Sequence, residues 1–242
     1  VRIPRYYIDQ ALECGQIITL PDELHRHAVQ VLRGKVDDAL ILFNGRGGEY
    51  HAKFSEVNKR HSSVEITEYD DVDRESPLDV RLVIALIKSD KFDFAIQKAV
   101  EMGVTSIQPV TAARTVLNLK AGRLEKKRLH WRGVITSACE QSGRTRVPEL
   151  LAVQSLNDYL LEDDERLRLT MLPEATSTFA ELDIESKPVS LIIGPEGGFH
   201  DDEVELMRQQ TIRLVKFGPR ILRAETAVVA GLSLCQSYWG DI

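Results

Sequence analysis

Three stretches in the C-terminal half set charged side chains among Gly and Pro at the ends of apolar runs. They are "MLPEA" (171–175), "IIGPEGG" (192–198) and "KFGPRILRAET" (216–226). In the second, Gly194, Gly197 and Gly198 allow positive φ angles and close backbone approach. Strand, glycine turn and helix start in that order suggest an anion cradle. Glu196 at the centre of the turn argues against one, because a carboxylate repels phosphate. The stretch also lacks the Lys and Ser/Thr of a P-loop and the spacing of GxGxxG. A ligand offering ribose hydroxyls, an amine or a sulfonium cation would suit Glu196; the alternative is a tight turn with an exposed glutamate. In the third stretch Arg220, Arg223 and Glu225 precede an apolar helix, a concentration of charge that points to function. Glu225 and Thr226 suit a helix cap equally well. A fourth stretch, "ACEQSGRTRVP", ends a basic helix with Glu140, Gln141, Arg144 and Arg146. Glu140 and Arg144 stand one helical turn apart, the spacing of a local ion pair.

The elements that must position these residues follow from periodicity. After residue 77 strands alternate with helices. "VRLVIALI" reads as a strand, "DKFDFAIQKAVEMG" as a helix ending at Gly103, and "SIQPV" as a strand. A basic helix is expected over roughly Leu124 to Ser142. "RLRLTML" is a strand closed by Pro173, and "VSLIIG" a strand followed by a helix over Asp201 to Gln210. "IRLVKFG" is a strand, and an apolar helix is expected over Thr226 to Trp239. Such alternation predicts an α/β domain with a parallel sheet flanked by helices. Parallel sheets place ligands at the carboxyl ends of their strands, so the three Gly/Pro loops are expected to share one pocket. Before residue 73 the pattern is β-rich. A glycine turn at Asn44 to Gly48 separates two strands, "HSSVEITEY" adds another, and "PDELHRHAVQVLR" reads as a helix stopped by Gly34. The acidic "DDVDRESP" looks like a linker, which divides the chain into 1–73 and 74–242.

Composition excludes several classes. No apolar run is long enough for a membrane span, and the N-terminus lacks the apolar core of a signal peptide. Cys14, Cys139 and Cys235 are widely spaced and odd in number, which predicts three buried, reduced thiols in a cytoplasmic protein. Six histidines show no metal spacing, and His25 and His27 fall on different helix faces, so metal catalysis is not expected. The net charge of −6 hides a strong asymmetry. Between Arg114 and Arg146 nine Lys/Arg stand against two acids, a local balance that an RNA backbone would feel. The alternative is a solvated basic helix face.

With these stretches in hand, the chain resembles the RsmE family end to end. These are bacterial 16S rRNA uridine-N3 methyltransferases of the SPOUT superfamily, whose chains carry a trefoil knot. The resemblance rests on "RHAVQVLR", "SDKFDFAIQKAVEMGV", "ACEQSGR", "LIIGPEGGF" and "FGPRILRAETA", in this order. It implies a PUA-like β-barrel domain that helps bind RNA, followed by an α/β-knot methyltransferase domain. It further implies a homodimer and S-adenosylmethionine as cofactor, with S-adenosylhomocysteine as product and no metal. The substrate would be 16S rRNA, methylated at a uridine of the decoding region on assembled small ribosomal subunits. A non-catalytic RNA-binding or ribosome-assembly module with a degenerate knot is the rival reading, against which the intact "GPEGG" and "RAETA" loops count. A nucleotide-dependent α/β protein is disfavoured by the missing Walker lysine.

The resemblance also implies roles. Backbone groups of Leu172, Pro173, Gly194, Gly197, Gly198, Phe217, Gly218, Leu222 and Ala227 would hold the adenosyl part, with Glu196, Arg223, Ala224 and Thr226 beside them. Methylating uridine N3 requires losing its proton and stabilising an anion on O2 and O4. Arg144 and Arg223 are candidates for holding that anion or its phosphate. Glu140 and Glu225 are candidates for the base, or for orienting the arginines. Arg26, His27 and Arg33 in the first domain, Lys126, Lys127, Arg128 and Arg132 on the basic helix, and Arg144 and Arg146 after it are the RNA-binding candidates. Two positions depart from the family pattern. His200 stands where Ser is common, so Asp201 is expected to take over the helix cap. Ala224 stands where many members have Thr, so a hydroxyl is lost there.

Overall fold

The computed structural model describes residues 3–115, 121–182 and 188–242. Its packing forms two compact units, Val1–Glu75 with Cys139–Val147, and Ser76–Ala138 with Pro148–Ile242. The sequence suggests a single cut at residue 73; the packing instead groups Cys139–Val147 with the N-terminal unit.

The first unit is a five-stranded sheet built from β1 (Arg5–Tyr7), β2 (Ile17–Thr19), β3 (Ala39–Phe43), β4 (Glu49–Val57) and β5 (Ser62–Asp70). Its strand order is β1-β3-β4-β5-β2. β1 runs parallel to β3 and the other pairs are antiparallel. Alternate residues of these strands, among them Tyr6, Leu40, Leu42, Phe54, Val64 and Ile66, close a common core. The expected helix over Pro21 to Arg33 is present but not uniform. One α-turn, α1 (Asp22–His25), widens into a π-helical segment at Arg26–Val31. Arg33 then ends it in the left-handed region at φ 59°, ahead of Gly34.

Residues Cys139–Val147 join this unit through one carboxylate. Glu75 takes Arg144 Nε and Nη2 at 2.9 and 2.5 Å on one oxygen, and the N–H groups of Thr145 and Arg146 at 3.0 and 3.1 Å on the other. A second clasp is Glu49, buried and paired with Arg5 at 2.9 Å and Arg74 at 3.1 Å. Arg5 also donates to the carbonyls of Cys139 and Arg144, and Arg74 to that of Gly143.

The second unit alternates strand and helix as its sequence predicts. In order it contains β6 (Val80–Ala85), α2 (Ser89–Glu101), β7 (Ser106–Thr111), α3 (Ala121–Ser142), β8 (Glu149–Leu150), β9 (Gln154–Ser155) and α4 (Leu156–Leu161). Then follow β10 (Leu167–Met171), a 3-10 turn at Phe179–Glu181, β11 (Val189–Ile193), α5 (Asp201–Gln209), β12 (Arg213–Val215) and α6 (Ala224–Trp239). The last turn of α3 belongs to the first unit. The sheet order is β12-β10-β11-β6-β7-β8, with β9 also on β7, and every pairing is parallel. β11 is buried at every residue, which is why it reads as an unbroken apolar run. In α2 the buried residues Phe92, Ala95, Ile96, Ala99 and Val100 form one stripe at helical spacing. α6 packs close to the sheet at Gly231, where an added Cβ would fall 2.8 Å from the Leu191 side chain. No described helix is long and apolar enough to cross a membrane.

The cysteine expectation needs one correction. Cys139 and Cys235 are buried, and burial pushes both thiols up to about 12, but Cys14 is exposed on the first unit.

Burial alone would raise the Glu49 carboxyl, but hydrogen bonds and charge from Arg74 and Arg5 outweigh it and hold the group below the usual carboxylate range. A carboxyl depressed by folding contributes stability above its unfolded pKa and loses it as pH falls through the folded value. Glu49→Ala is therefore expected to cost on the order of 3 kcal/mol at pH 7, since it leaves the buried Arg5 cation without its counter-charge. Urea unfolding should show the gap between wild type and variant closing as pH falls below about 4. A gap that does not change with pH would mean that packing, not charge, sets the effect.

Candidate active site

β12, β10 and β11 are neighbours in the sheet, so the loops at their carboxyl ends lie side by side. Together with the start of α6 they enclose a cavity of about 550 Å³. Of the residues expected to hold a cofactor, Leu172, Pro173, Gly194, Glu196, Gly197 and Gly198 line it, as do Phe217, Leu222, Arg223, Ala224 and Ala227. Gly218 and Thr226 are not among the lining residues. Gly218 makes the turn before them at φ 63°, and Thr226 is exposed on α6.

The glycine loop is shaped from outside itself. A Cβ on Gly194 would lie 3.0 Å from the Phe199 ring, and Gly198 has φ 69°, a conformation open to glycine. Glu196 is exposed, and its Oε1 accepts from the Lys88 N–H, at the N-cap of α2, at 3.3 Å. Arg114, on the chain leaving β7, donates to the Gly197 carbonyl at 3.0 Å.

His200 itself caps α5, contrary to the expected shift of the cap to Asp201. Its Nδ1 accepts from the Asp202 N–H at 3.3 Å, and Glu203 accepts from the His200 N–H at 2.7 Å. An unprotonated imidazole nitrogen offers the lone pair that a Ser oxygen would, so the capping box closes without a hydroxyl. The buried Glu203 also accepts from the Ala113 N–H at 2.8 Å, which ties the start of α5 to the end of β7.

At the third loop, α6 begins at Ala224, two residues before the expected start, with Arg223 as its N-cap. Glu225, in the first turn, pairs with Lys91 of α2 at 3.7 Å. Its other oxygen, Oε2, is buried and meets no donor among the described residues. Lys91 and Ile221, which the sequence did not mark, line the cavity, as does Arg220 of the charged third stretch. Lys91 sits inside the recognised stretch "SDKFDFAIQKAVEMGV", but only the adjacency of β6 and β11 brings it to the glycine loop.

The remaining candidates fall elsewhere. In the first unit Arg26, His27 and Arg33 are exposed, and His27 meets Tyr6 edge-on with ring centroids 5.7 Å apart. Arg146 is exposed, whereas Arg144 is buried in its ion pair with Glu75. The role expected of Arg144, direct contact with substrate, would require that pair to open; here its guanidinium holds the loop together. Glu140 accepts from the Tyr7 N–H at 3.0 Å. Burial raises its carboxyl, partly offset by that bond and by His27 and Arg5. On α3, Lys126 and Arg132 are exposed, Lys127 donates to Ser89, and Arg128 pairs with Glu125 at 3.8 Å. Lys120, part of the basic stretch, lies outside the described residues. Among the described residues Glu49, His51 and Asp70 cluster at a spacing a cation could use, but Arg5 and Arg74 already engage Glu49.

Comparison with known proteins agrees with this arrangement. Residues 74–236 match the RNA methyltransferase domain family and residues 20–67 the RNA methyltransferase PUA domain. The ribosomal RNA small subunit methyltransferase E of Buchnera aphidicola (Schizaphis graminum) is 34% identical over 242 residues, covering 100% of this chain and 98% of the relative. That of Bacillus subtilis is 32% identical, covering 95% and 94%. The chain belongs to the ribosomal RNA small subunit methyltransferase E family. Among solved structures, the family member from Neisseria gonorrhoeae bound to S-adenosylmethionine aligns with a TM-score of 0.93 at 34% identity, over 100% of both chains. A Legionella pneumophila protein described as a methyltransferase in complex with the same molecule aligns at 0.95 and 36%, again over 100% of both. The α/β architecture behind a small N-terminal sheet domain, inferred from the sequence, is thus the architecture of the family.

The cap geometry predicts the outcome of a substitution. His200→Ala should destabilise the chain by about 1 kcal/mol in urea unfolding, the usual cost of losing an N-cap. His200→Ser should be nearly neutral. Equal losses for both would mean that the imidazole acts through packing instead.

Proposed function

We propose that this chain transfers the methyl group of S-adenosylmethionine to N3 of a uridine in 16S rRNA, acting as a homodimer on assembled small ribosomal subunits. The observation that carries the proposal is the convergence of three strand-end loops on one cavity. Its volume lies within the roughly 300–1,000 Å³ of small-molecule sites, and its walls suit the cofactor. Apolar side chains of Leu172, Ile193, Phe217 and Leu222 offer faces for an adenine ring. Gly194, Gly197 and Gly198 line the cavity, and the backbone at Gly198, beside which nothing stands within 4 Å of a Cβ position, is open to close approach. Glu196 places a carboxylate where a phosphate would be repelled but hydroxyls or a cation would be welcome.

When bound, S-adenosylmethionine supplies an electrophilic methyl on a positively charged sulfur. The chain's own part is to bind, align and manage charge. The loops after β10 and β11 wall the cavity, and the loop before α6 brings Arg220 and Arg223 to its rim. The exposed cations Arg26, Arg33 and Arg146 of the first unit, and Lys126 and Arg132 of α3, suit contacts to RNA phosphates. Such contacts are sequence-blind, so selection of one uridine would come from the shape of folded RNA. The PUA-domain match of the first unit and the name shared by the relatives support rRNA as the substrate.

The test is to incubate the protein and S-adenosylmethionine with small subunits lacking this modification, then to map methylated uridines by mass spectrometry. One new 3-methyluridine in 16S rRNA is the expected result; methylation at a ring carbon or on ribose would refute the N3 assignment. A second prediction concerns the cavity. Ala227, in the first turn of α6, contributes only a methyl group to the wall. Ala227→Phe should lower S-adenosylhomocysteine affinity at least about 100-fold in calorimetry while thermal unfolding stays cooperative, a loss of about 2.8 kcal/mol at 1.4 kcal/mol per decade. Unchanged affinity would move the cofactor out of this cavity.

A further inference from the structure

Lys91 is an unusual residue for its place. It lies in the first turn of α2, where the helix dipole disfavours a cation. Its side chain nevertheless lines the cavity and is partly buried there. The partner that holds it, Glu225, comes from the first turn of α6, so two helix N-termini meet through this pair. The pair is poorly arranged for stability. Its separation is 3.7 Å, and Glu225 Oε2 is buried without a donor among the described residues. Ion pairs that stabilise a fold satisfy both oxygens at shorter range. Arg220 and Arg223, the other cations lining the cavity, are exposed. Of these three, Lys91 is the one paired with a counter-charge among the described residues.

Methylation at uracil N3 needs such a cation. The N3 lone pair is delocalised into two carbonyls, so the nucleophile is the anion left when the N3 proton departs to water. Its charge sits largely on O2 and O4. The N3–C bond then forms from that electron pair. The sulfur–methyl bond breaks with its electrons staying on sulfur, which leaves neutral S-adenosylhomocysteine, 3-methyluridine and one released proton. A fixed ammonium beside a uracil carbonyl stabilises the anion before the methyl moves, and it needs no reorganisation to do so.

We propose that Lys91 is the catalytic cation that stabilises the uracil anion, and that Glu225 is the positioning residue that holds its ammonium at the cavity. This rests on the function proposed above, and the wild-type arm of the experiment tests that function separately. Single-turnover methyl transfer to undermethylated small subunits is measured for wild type, Lys91→Met, Lys91→Arg and Glu225→Gln. Thermal unfolding and calorimetric affinity for S-adenosylhomocysteine are measured alongside. Lys91→Met keeps the aliphatic stem, and its rate should fall about 100- to 1,000-fold, as when one anion-stabilising donor is removed. Its affinity for the neutral product should stay within about threefold of wild type, half a decade or less. Lys91→Arg should recover part of the rate. Glu225→Gln should slow the maximal rate more than it raises the subunit concentration needed for half-saturation.

Subunits carrying 5-fluorouridine supply the decisive readout. Fluorine withdraws electrons from the ring and stabilises the N3 anion without help. The deficit of Lys91→Met should therefore shrink at least about tenfold on that substrate, a change that a merely structural lysine would not produce. A Lys91→Met rate within about threefold of wild type overturns the proposal. So does a deficit of equal size on both substrates, or one that follows lost product affinity or lost folding. A wild type that methylates no uridine N3 removes the function proposed above and this inference with it.

Discussion

The candidate site depends on one constraint of backbone pairing, the adjacency of β12, β10 and β11 in a parallel sheet. Parallel strands all end at the same edge, so their exit loops must share space there. β10 pairs with β11 on one side and β12 on the other over three or four residues each, enough to fix their ends in register. Each exit loop carries Gly or Pro where the chain must leave the sheet sharply. The cavity is the space those turns leave between them, bounded by the start of α6. Its walls combine the glycines of the middle turn with larger apolar side chains such as Leu172, Phe217 and Leu222.

A similar economy holds the second connection of the chain. Residues Cys139–Val147 lie far in sequence from the strands they pack with, yet Glu75 collects Arg144 and two successive N–H groups from them. A partly buried carboxylate that accepts four hydrogen bonds is costly to disrupt. It sets Arg144 inward and leaves Arg146 outward, so two arginines two residues apart have opposite work. Spacing alone suggested a pair between Glu140 and Arg144 along the helix. The structure gives Glu140 a backbone partner in β1 and Arg144 a partner 69 residues away.

These particulars show what was legible in advance. The alternation after residue 77, the apolar stripe of α2 and the three strand-end loops were legible, because period and turn chemistry are local properties of the chain. The two-residue strands β8 and β9 and the six-residue helix α4 were not, since each is too short to establish a period. The π-helical widening at Arg26–Val31 was hidden for another reason: its residues suit an α-helix equally well. The His200 cap was misjudged because Asp201 was expected to supply the acceptor, when the imidazole lone pair of His200 suffices. Lys91 went unmarked because its chemistry depends on which strand lies beside which, and hydrophobic patterning does not carry strand order.

Strand order also explains how a loop of glycines can hold a defined shape. Glycine loses more conformational freedom on ordering than any other residue, so "GPEGG" by itself would sample many forms. Here the loop is braced from β6's side by the Lys88 N–H, from β7's side by Arg114, and at its exit by the capping box of His200 and Glu203. Glu203 extends that brace to Ala113. The ordering cost is thus met by folding rather than at ligand binding, which leaves more of the contact energy for affinity. Glu196 has a part in both roles. Its carboxylate lines the cavity and also accepts from the first N–H before α2, two residues upstream of Ser89's successor Asp90 and three before Lys91. One turn of backbone therefore carries the N–H donor that holds Glu196 on the glycine loop's side and the Lys91 cation on α6's side, so the two opposite charges are held at separate places on the cavity wall.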